Sequence, residues 1–433
     1  SSPTINEFPS DGLTREQRQN GWISLHILLS FYCFWLLAAI CDDYFVPSIE
    51  QLCMQKDVVG ATIMAAANSS SELFMNVVGT FVTKGDIGVS TIVGSAVFNV
   101  LAVPACCGLV VGQFVHLDWW PVTRDCLIYC VAVCALIGTL IDGVIMWYEA
   151  LSLLIGYVLY MTGKISARKL ISKYRRRKRV RPFREVSELT PMLLMSSISS
   201  VNIKSNNNLE SESLESVEYK EKDTIDSPWQ RQGRDFVEFL LRWPITFALW
   251  LTIPDSRRYP KYRYITFLLS VTWIGAISYL VAYMITIIGD TLNIPDAVMG
   301  LTILAAGMSV PEAVSSIIVT KQGQGAMGIS NSLGSNTFDI FLCLGLPWFI
   351  KAYFLPENEG QHWVILYSTG LTYSAIILLT TLFCLYIAFV ANRFVLDWKI
   401  GIACSILYVG FMSIASMIEL NVFFDVSLPV CRR

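Results

Sequence analysis

Apolar residues occur along this chain in long blocks rather than in short alternations with polar residues. Ten blocks reach or approach the ~20 residues that a helix needs to cross a bilayer, and a hydrophilic interval separates the first five from the last five. The pattern predicts an all-α polytopic membrane protein with about ten transmembrane helices in two halves. The blocks lie near 22–40, 58–82, 88–112, 125–141, 147–163, 264–288, 296–319, 327–355, 363–390 and 400–424.

Composition and charge set the orientation of these spans. The 433 residues are 54% hydrophobic and only 15% charged, which is too little charge for the surface of a soluble domain. The dense basic block "KYRRRKRVRPFR" at 173–184 faces the cytoplasm by the positive-inside rule, and five spans precede it, so both chain ends are predicted outside. The predicted parts are an extracellular N-terminal tail (1–21), a first five-helix repeat (22–163), a cytoplasmic loop (164–262), a second five-helix repeat (263–424) and an extracellular C-terminal tail (425–433).

The cytoplasmic loop is predicted to have three parts: the basic block, a disordered stretch rich in serine and glutamate, and an amphipathic helix on the membrane surface before the sixth span. The basic block at 173–184 anchors the topology in one interpretation and binds anionic lipid in the other. Asp290, near the end of a span, is expected to be solvated. Neither the oligomeric state nor the ion affinities follow from the sequence.

An internal repeat is the strongest signal in the chain. A shift of 240 positions aligns 60–100 with 300–340, and 14 of these 41 positions are identical without a gap. The shift matches Glu72 with Glu312, and "GSAVFN" (94–99) with "GSNTFD" (334–339). An odd number of spans separates the copies, so they enter the membrane in opposite directions. Such inverted repeats are typical of secondary transporters that bind their substrate near the bilayer midplane.

The repeat places acidic side chains inside predicted spans. An ionised carboxylate at the bilayer centre costs at least ~2.5–3.5 kcal/mol unless it is paired, and these spans carry no arginine or lysine near mid-depth. Asp339 follows Glu312 by 27 positions, and Asn99 follows Glu72 by the same distance. A single such glutamate can be protonated and simply hydrogen-bonded to a neighbour. Two in register, together with Asp339, favour a site for cations.

The candidate ligands are all oxygen atoms, which hard cations such as Ca²⁺ prefer. Serines precede both glutamates by one helical turn, and Pro311 weakens its helix and frees a backbone carbonyl. The small residues around Ser95 and Ser335 also suit close helix packing, which is the alternative for those two positions. The full candidate set is Glu72, Glu312, Asp339, Asn99, Ser69, Ser309, Ser95, Ser335, Ala65, Ala305 and Asn68.

At "GATIMAAANSSSELF", "STIVGSAVFNVL", "AAGMSVPEAVSS" and "SNSLGSNTFDIF" the chain resembles the two alpha-repeats of the cation/Ca²⁺ exchanger superfamily, and within it the K⁺-dependent Na⁺/Ca²⁺ exchangers. The resemblance covers both membrane halves. It implies that Glu72 and Glu312 are central ligands for Ca²⁺ and Na⁺, and that Asp339 is the acidic position associated with K⁺ dependence. It also implies exchange of Na⁺ inward for Ca²⁺ plus K⁺ outward by alternating access, with no cofactor.

The chain departs from the family's motifs in both repeats. "NSSSE" stands where the first repeat of the family has "GSAPE", so Ser71 replaces a proline and Asn68 a glycine. "GMSVPE" stands where the second repeat has "GTSVPD", so Met308 replaces a threonine and Glu312 is one methylene longer than an aspartate. Altered ion affinity or stoichiometry, or slow exchange, would follow from these changes.

Three functions remain open from the sequence. The first is a K⁺-dependent Na⁺/Ca²⁺ antiporter, and the second is a Ca²⁺/cation antiporter without K⁺ transport. The third is a transport-impaired homologue that acts as an ion-binding scaffold. A channel suits inverted repeats around a closed carboxylate site less well, and no nucleophile–base pair, phosphate loop or cofactor motif indicates an enzyme. The predicted location is the plasma membrane, with an intracellular organelle membrane as the alternative.

Overall fold

The computed structural model describes most of both predicted membrane halves. The described residues are 4–48, 69–83, 86–111, 115–179, 243–244, 247–249, 251–254, 260–321, 325–356, 362–366 and 368–422. The chain forms two compact units, of which one combines Ser1–Thr162 with Leu249–Arg433 and the other is Gly163–Ala248.

Helices dominate the described residues, and eight of those helices are long and apolar enough to cross a membrane. The all-α membrane fold predicted from the sequence is therefore confirmed, whereas the number of ten spans stays a prediction. The eight are α1 (Arg15–Ser48), α3 (Ile87–Val110), α4 (Trp119–Leu140), α6 (Arg263–Leu292), α7 (Asp296–Ile318), α8 (Ser332–Phe354), α9 (Gly370–Ala391) and α10 (Trp398–Glu419). Two further helices are α2 (Ser70–Phe81) and α5 (Trp147–Arg179). Helical structure also continues from α7 to Lys321 and precedes α8 from Gly325.

Short antiparallel ribbons connect the two halves of the chain at both ends of the bundle. The strand β1 (Val115–His116) pairs with β4 (Val395–Leu396), and β2 (Val144–Met146) pairs with β3 (Trp363–Ile365). The apolar run expected at 363–390 therefore begins as a strand, and its helix starts only at Gly370.

The ribbon pairing supports the inverted repeat independently of the sequence identities. β1 lies between the third and fourth helices and pairs with the strand between the ninth and tenth, while β2, between the fourth and fifth, pairs with the strand between the eighth and ninth. Each helix of the first half corresponds to the helix five places further along the chain. Under this correspondence, the β1–β4 ribbon matches the β3–β2 ribbon. The two ribbons are separated along the chain by the membrane-length helix α4, so they lie at opposite ends.

Glycines allow the two repeats to approach closely near the middle of the bundle. A Cβ atom on Gly94 in α3 would collide with the carbonyl oxygen of Leu301 and with Ala305 in α7. The repeat-related Gly88 and Gly328 play matching roles, because a Cβ on either would press into the preceding helix of its own repeat. Small residues at such positions let helix backbones pack closely in membranes.

Two of the π-helical turns in the described residues occupy equivalent places in the repeats. They are Phe98–Ala102 in α3, which contains Asn99, and Asp339–Leu344 in α8, which begins with Asp339. A π turn inserts a residue into the helix and disturbs its hydrogen-bond ladder, and such turns are frequent at functional sites.

The residues before and within the first turns of α1 dock onto the end of α6. Arg18 is only 6% exposed, and its Nη1 and Nη2 atoms lie 3.6 Å from Asp11 Oδ2 and 3.4 Å from Asp290 Oδ2. Arg15 Nη2 donates to the Asp290 carbonyl oxygen at 2.7 Å. The side chain of Asp290, which was expected to be solvated, remains 25% exposed. It also has arginine partners that the sequence did not predict, because the N-terminal segment brings Arg15 and Arg18 to the end of α6.

Candidate ion-binding site

The first candidate carboxylate stands at the start of α2. Glu72 is 1% exposed, and its Oε2 accepts a hydrogen bond of 2.7 Å from Ser71 Oγ, its neighbour along the chain. Its Oε1 is buried and accepts no hydrogen bond from any described residue. The serine that replaces the family's proline therefore supports this carboxylate directly.

The second candidate carboxylate, Glu312 in α7, is supported from elsewhere in the chain. Its Oε2 accepts a hydrogen bond of 2.5 Å from Asn99 Nδ2 in α3 and lies 3.2 Å from Ser335 Oγ in α8. Asn99 belongs to the first repeat, so this contact joins the two repeats at the site. Within the described part of the chain, Glu312 Oε1 has no hydrogen-bond partner either.

The third carboxylate, Asp339, begins the π turn of α8 and is 1% exposed. Its Oδ1 accepts from Cys343 Sγ at 3.6 Å, and no described residue hydrogen-bonds to its Oδ2. Ser69 is fully buried and its side chain lies close to Asp339. Asp339 thus borders both repeats, as Glu312 does.

The three carboxyl groups lie within one another's electrostatic influence. The ion pairs observed among the described residues involve other side chains, namely Asp11, Arg18, His26, Arg124, Asp125 and Asp290. In the same residues no three acidic, histidine or cysteine side chains are close enough to hold one metal ion together.

Other residues of the predicted set fall into three groups. The hydroxyls of Ser95 and Ser309 are buried and lack a hydrogen-bond partner among the described residues. Ala305 is buried at the close approach to Gly94 and packs there. Ala65 and Asn68 lie outside the described residues.

Sequence reasoning missed several polar groups around the site. Asn336 Oδ1 accepts from Asn99 Nδ2 at 3.0 Å, and Asn76 Nδ2 donates to the Cys343 carbonyl oxygen at 2.5 Å. Ser332 Oγ donates to the Asn99 carbonyl oxygen at 2.9 Å. These polar residues interrupt apolar helices, and such interruptions indicate a polar site in a membrane protein. Their repeat-related positions carry different residue types, and for that reason the comparison of repeats did not select them.

A cavity of about 70 Å³ reaches this site from the side of α1. Its volume corresponds to roughly two water molecules. Pro311 has no N–H to donate to the carbonyl of Gly307 one turn earlier, so a backbone oxygen beside the cavity lacks its helical partner. The cavity is lined by Phe34, Leu37, Ala38, Cys41, Val46, Ser71, Gly307, Met308, Pro311, Glu312 and Ser315.

Comparison with known proteins agrees with this architecture. The sequence profile of the sodium/calcium exchanger protein family matches residues 26–165 and 262–417, which include both repeats. The chain belongs to the sodium/calcium exchanger family. It is thus a multi-pass membrane protein of a transporter family.

Relatives cover the whole chain. The chain is 34% identical to sodium/potassium/calcium exchanger 4 of Mus musculus, over 100% of this chain and 87% of that protein. It is 36% identical to sodium/potassium/calcium exchanger 5 of Homo sapiens, over 98% of this chain and 89% of that one. The crystal structure of the H⁺/Ca²⁺ exchanger CAX matches the fold with a TM-score of 0.56 and 10% identity, over 92% of this chain and 86% of that one.

Proposed function

We propose that this exchanger is a K⁺-dependent Na⁺/Ca²⁺ antiporter of the plasma membrane, which moves Na⁺ inward in exchange for Ca²⁺ plus K⁺ outward. The names of its relatives, which specify sodium, potassium and calcium, support the choice of ions. Glu72, Glu312 and Asp339 are the central ligands in this proposal. Asn99, Ser69, Ser95, Ser309 and Ser335 add neutral oxygens.

One observation carries the proposal. Each repeat contributes a glutamate that is buried and keeps one carboxylate oxygen without a hydrogen-bond donor among the described residues. A carboxylate in that state is costly inside a membrane, and the cost falls when a cation binds it. The transported ions are the cations that fit an all-oxygen environment.

Antiport follows from sharing the same carboxylates between two sets of ions. Na⁺ and Ca²⁺ neutralise the same negative charges, so binding of one set excludes the other. Because the repeats are inverted, a small rearrangement of one against the other can expose the site to either side in turn. The cavity lined by Glu312 and Ser71 gives an approach to the site from the side of α1.

The K⁺ requirement rests on the one pair of candidate ligand positions at which the two repeats differ in charge. The first repeat carries Asn99 and the second carries Asp339 at the matching place. The extra carboxylate adds one negative charge to the site, which a monovalent cation accompanying Ca²⁺ would balance. Asp339 Oδ2, buried and without a donor in the described structure, is the oxygen that K⁺ would meet.

Flux measured with and without K⁺ tests this proposal. Proteoliposomes loaded with Na⁺ are diluted into Na⁺-free medium that contains ⁴⁵Ca²⁺ and either K⁺ or choline. Wild-type uptake is expected only with K⁺, and Asp339→Asn is expected to take up Ca²⁺ equally well in both media. The control is Asp142→Asn in an exposed turn, which should keep the wild-type K⁺ requirement. Equal wild-type uptake in K⁺ and choline would contradict K⁺ dependence and favour K⁺-independent antiport.

A transport-impaired scaffold is the second candidate, and one contact favours it. Met308, which stands where the family has a threonine, lines the cavity beside Glu312, so a thioether replaces a hydroxyl near the ions. Ca²⁺-dependent thermal stabilisation of the purified protein without flux in proteoliposomes would support this function. Flux above that of protein-free vesicles would reject it.

A further inference from the structure

The carbonyl group of Cys343 lies about one turn after Asp339 in α8, and a proline removes its α-helical donor. In an α-helix this carbonyl would accept a hydrogen bond from the N–H of residue 347, but that residue is Pro347, which has none. Cys343 and Pro347 are both buried. The carbonyl therefore needs a donor from elsewhere in the protein.

That donor comes from the other repeat. Asn76 in α2 is 1% exposed, and its Nδ2 donates to the Cys343 carbonyl oxygen at 2.5 Å. A proline inside a membrane helix is tolerated when a neighbouring helix satisfies the carbonyl that the proline leaves free. Gly88 in α3 leaves room for the amide, because a Cβ atom there would lie 2.5 Å from Asn76 Oδ1. The Asn76 amide thus takes the place of the N–H that Pro347 lacks.

The repeat-related positions carry neither the proline nor the amide. The shift of 240 positions matches Pro347 with Cys107 and Asn76 with Ser316. Cys107 lies inside the helical segment Val103–Val111 and has an N–H to donate to the carbonyl four residues earlier. The hydroxyl of Ser316 is buried and has no hydrogen-bond partner among the described residues. An amide therefore stands at this position only in the repeat whose partner helix carries the proline.

The hydrogen bond from Asn76 lies directly beside the candidate carboxylates. Asn76 follows Glu72 by four residues, on the same face of α2. Cys343 follows Asp339 by four residues in α8, where Asp339 begins the π turn. The Sγ atom of Cys343 also donates to the carbonyl oxygen of Ser69 at 3.7 Å, so Cys343 contacts the first repeat through its side chain and its main chain. These contacts fix the position of Glu72 relative to the π turn.

We propose that Asn76 is a positioning residue of the ion site, which sets the place of Asp339 by holding the backbone of α8 at Cys343. Without the amide, a buried carbonyl lacks its donor, and the π turn moves to find another. A displacement of about 0.5 Å is enough to weaken a site of this kind. The effect on K⁺ rests on the proposed function, in which Asp339 meets K⁺, whereas the compensation of Pro347 by Asn76 does not.

A double-mutant cycle in proteoliposomes tests the compensation. Asn76→Leu removes the donor at nearly constant size, and Pro347→Ala restores an N–H within α8. The readouts are the K⁺ concentration for half-maximal ⁴⁵Ca²⁺ uptake and the maximal rate of uptake. Asn76→Leu should raise that K⁺ concentration about tenfold and change the maximal rate less. The double variant should return to within about threefold of wild type, because the main chain again supplies the donor.

Asn392→Leu is the matched control. Asn392 Nδ2 also donates to a main-chain carbonyl oxygen, that of Val395 at 2.6 Å, but in the connection between α9 and α10. This variant should lower the temperature of thermal unfolding without changing the half-maximal K⁺ concentration. Wild-type K⁺ dependence in Asn76→Leu would overturn the proposal, and so would an Asn76→Leu defect that Pro347→Ala does not reduce.

Thermal unfolding of the purified protein separates this proposal from the proposed function. If wild-type uptake is absent or independent of K⁺, the proposed antiport fails, and the Ca²⁺ concentration for half-maximal thermal stabilisation becomes the readout. That concentration should rise about tenfold in Asn76→Leu and recover in the double variant. If Asn76→Leu does not fold, a folded double variant that Ca²⁺ stabilises supports the proposal, and an unfolded one overturns it. A wild type that Ca²⁺ does not stabilise would overturn both proposals.

Discussion

The segments around Glu72 and Glu312 are copies of one ancestral pattern, yet they hold their carboxylates differently. Glu72 is supported by Ser71, the preceding residue of its own helix. Glu312 is supported by Asn99 and Ser335, which reach it from other helices. Both keep one buried oxygen without a donor among the described residues. The two repeats therefore share the buried carboxylate oxygen without a donor, but they do not share the residues that support the carboxylate.

The residue before each glutamate explains part of the difference. Pro311 precedes Glu312 and can donate no hydrogen bond, either from its backbone nitrogen or from its side chain. The equivalent Ser71 can, and its hydroxyl does so. Substituting the residues that support the two carboxylates should therefore change Ca²⁺ affinity by unequal amounts. Substituting the glycines at matching positions of the two repeats should lower stability by equal amounts.

Asn99→Leu should have the largest effect among the supporting residues. It removes the donor to Glu312, the bond to Asn336 and a buried amide oxygen that is a candidate ligand. Loss of hydrogen bonds to a charged group and its neighbour costs about 3 kcal/mol of Ca²⁺ binding. The Ca²⁺ concentration for half-maximal uptake should therefore rise about 100-fold. Unchanged half-saturation in ⁴⁵Ca²⁺ uptake would show that Glu312 does not depend on the first repeat.

Gly88→Ala and Gly328→Ala test what the repeats share. A Cβ on Gly88 would press on Asn76, and one on Gly328 on Thr320 and the Ser316 carbonyl, so each variant should lose about 2 kcal/mol of stability by overpacking. The measurement is thermal unfolding in detergent. Gly138 in α4 has open space around it, and Gly138→Ala should be neutral or stabilising. If only one of the two variants is destabilised, close packing at this glycine stabilises only one of the repeats.

Ser71→Ala should have the smallest of these effects. It removes a single hydrogen bond to Glu72, worth about 1.5 kcal/mol, and so weakens Ca²⁺ half-saturation roughly tenfold. Ser70→Ala is the matched control, because the neighbouring hydroxyl contacts Cys41 Sγ and not a carboxylate. A change as large as that of Asn99→Leu would show that Glu72 depends on its support as much as Glu312 does. That result would contradict the difference between the two carboxylates.

Much of the fold followed from the sequence because a bilayer imposes its own length and polarity on each helix. The repeat also placed Glu72, Glu312, Asn99 and Asp339 together correctly as buried polar positions of the membrane helices. Identity between distant segments survives only where the surroundings demand the same side chain. A polar identity inside an apolar span was therefore more informative than any single motif.

The remainder depended on contacts that no linear pattern encodes. The π turns at Phe98–Ala102 and Asp339–Leu344 require no special residue type, so their positions cannot be read from composition. Cys343 has the composition of a small apolar residue in a span, and only the structure shows that its Sγ donates a hydrogen bond to Asp339 Oδ1 at 3.6 Å. The ribbon strand at Trp363–Ile365 lies in an apolar run that predicts a helix, because short apolar strands and helices have the same pattern in sequence.

The central claim is that one glutamate from each inverted repeat holds the transported ions. The most direct test is Na⁺-gradient-driven ⁴⁵Ca²⁺ uptake into proteoliposomes that contain wild type, Glu72→Gln or Glu312→Gln, with Asp142→Asn as the control. Glutamine keeps the size of the side chain and removes its charge, so both variants should show only the uptake of protein-free vesicles, and Asp142→Asn should match wild type. Undiminished uptake in either glutamine variant would contradict the claim.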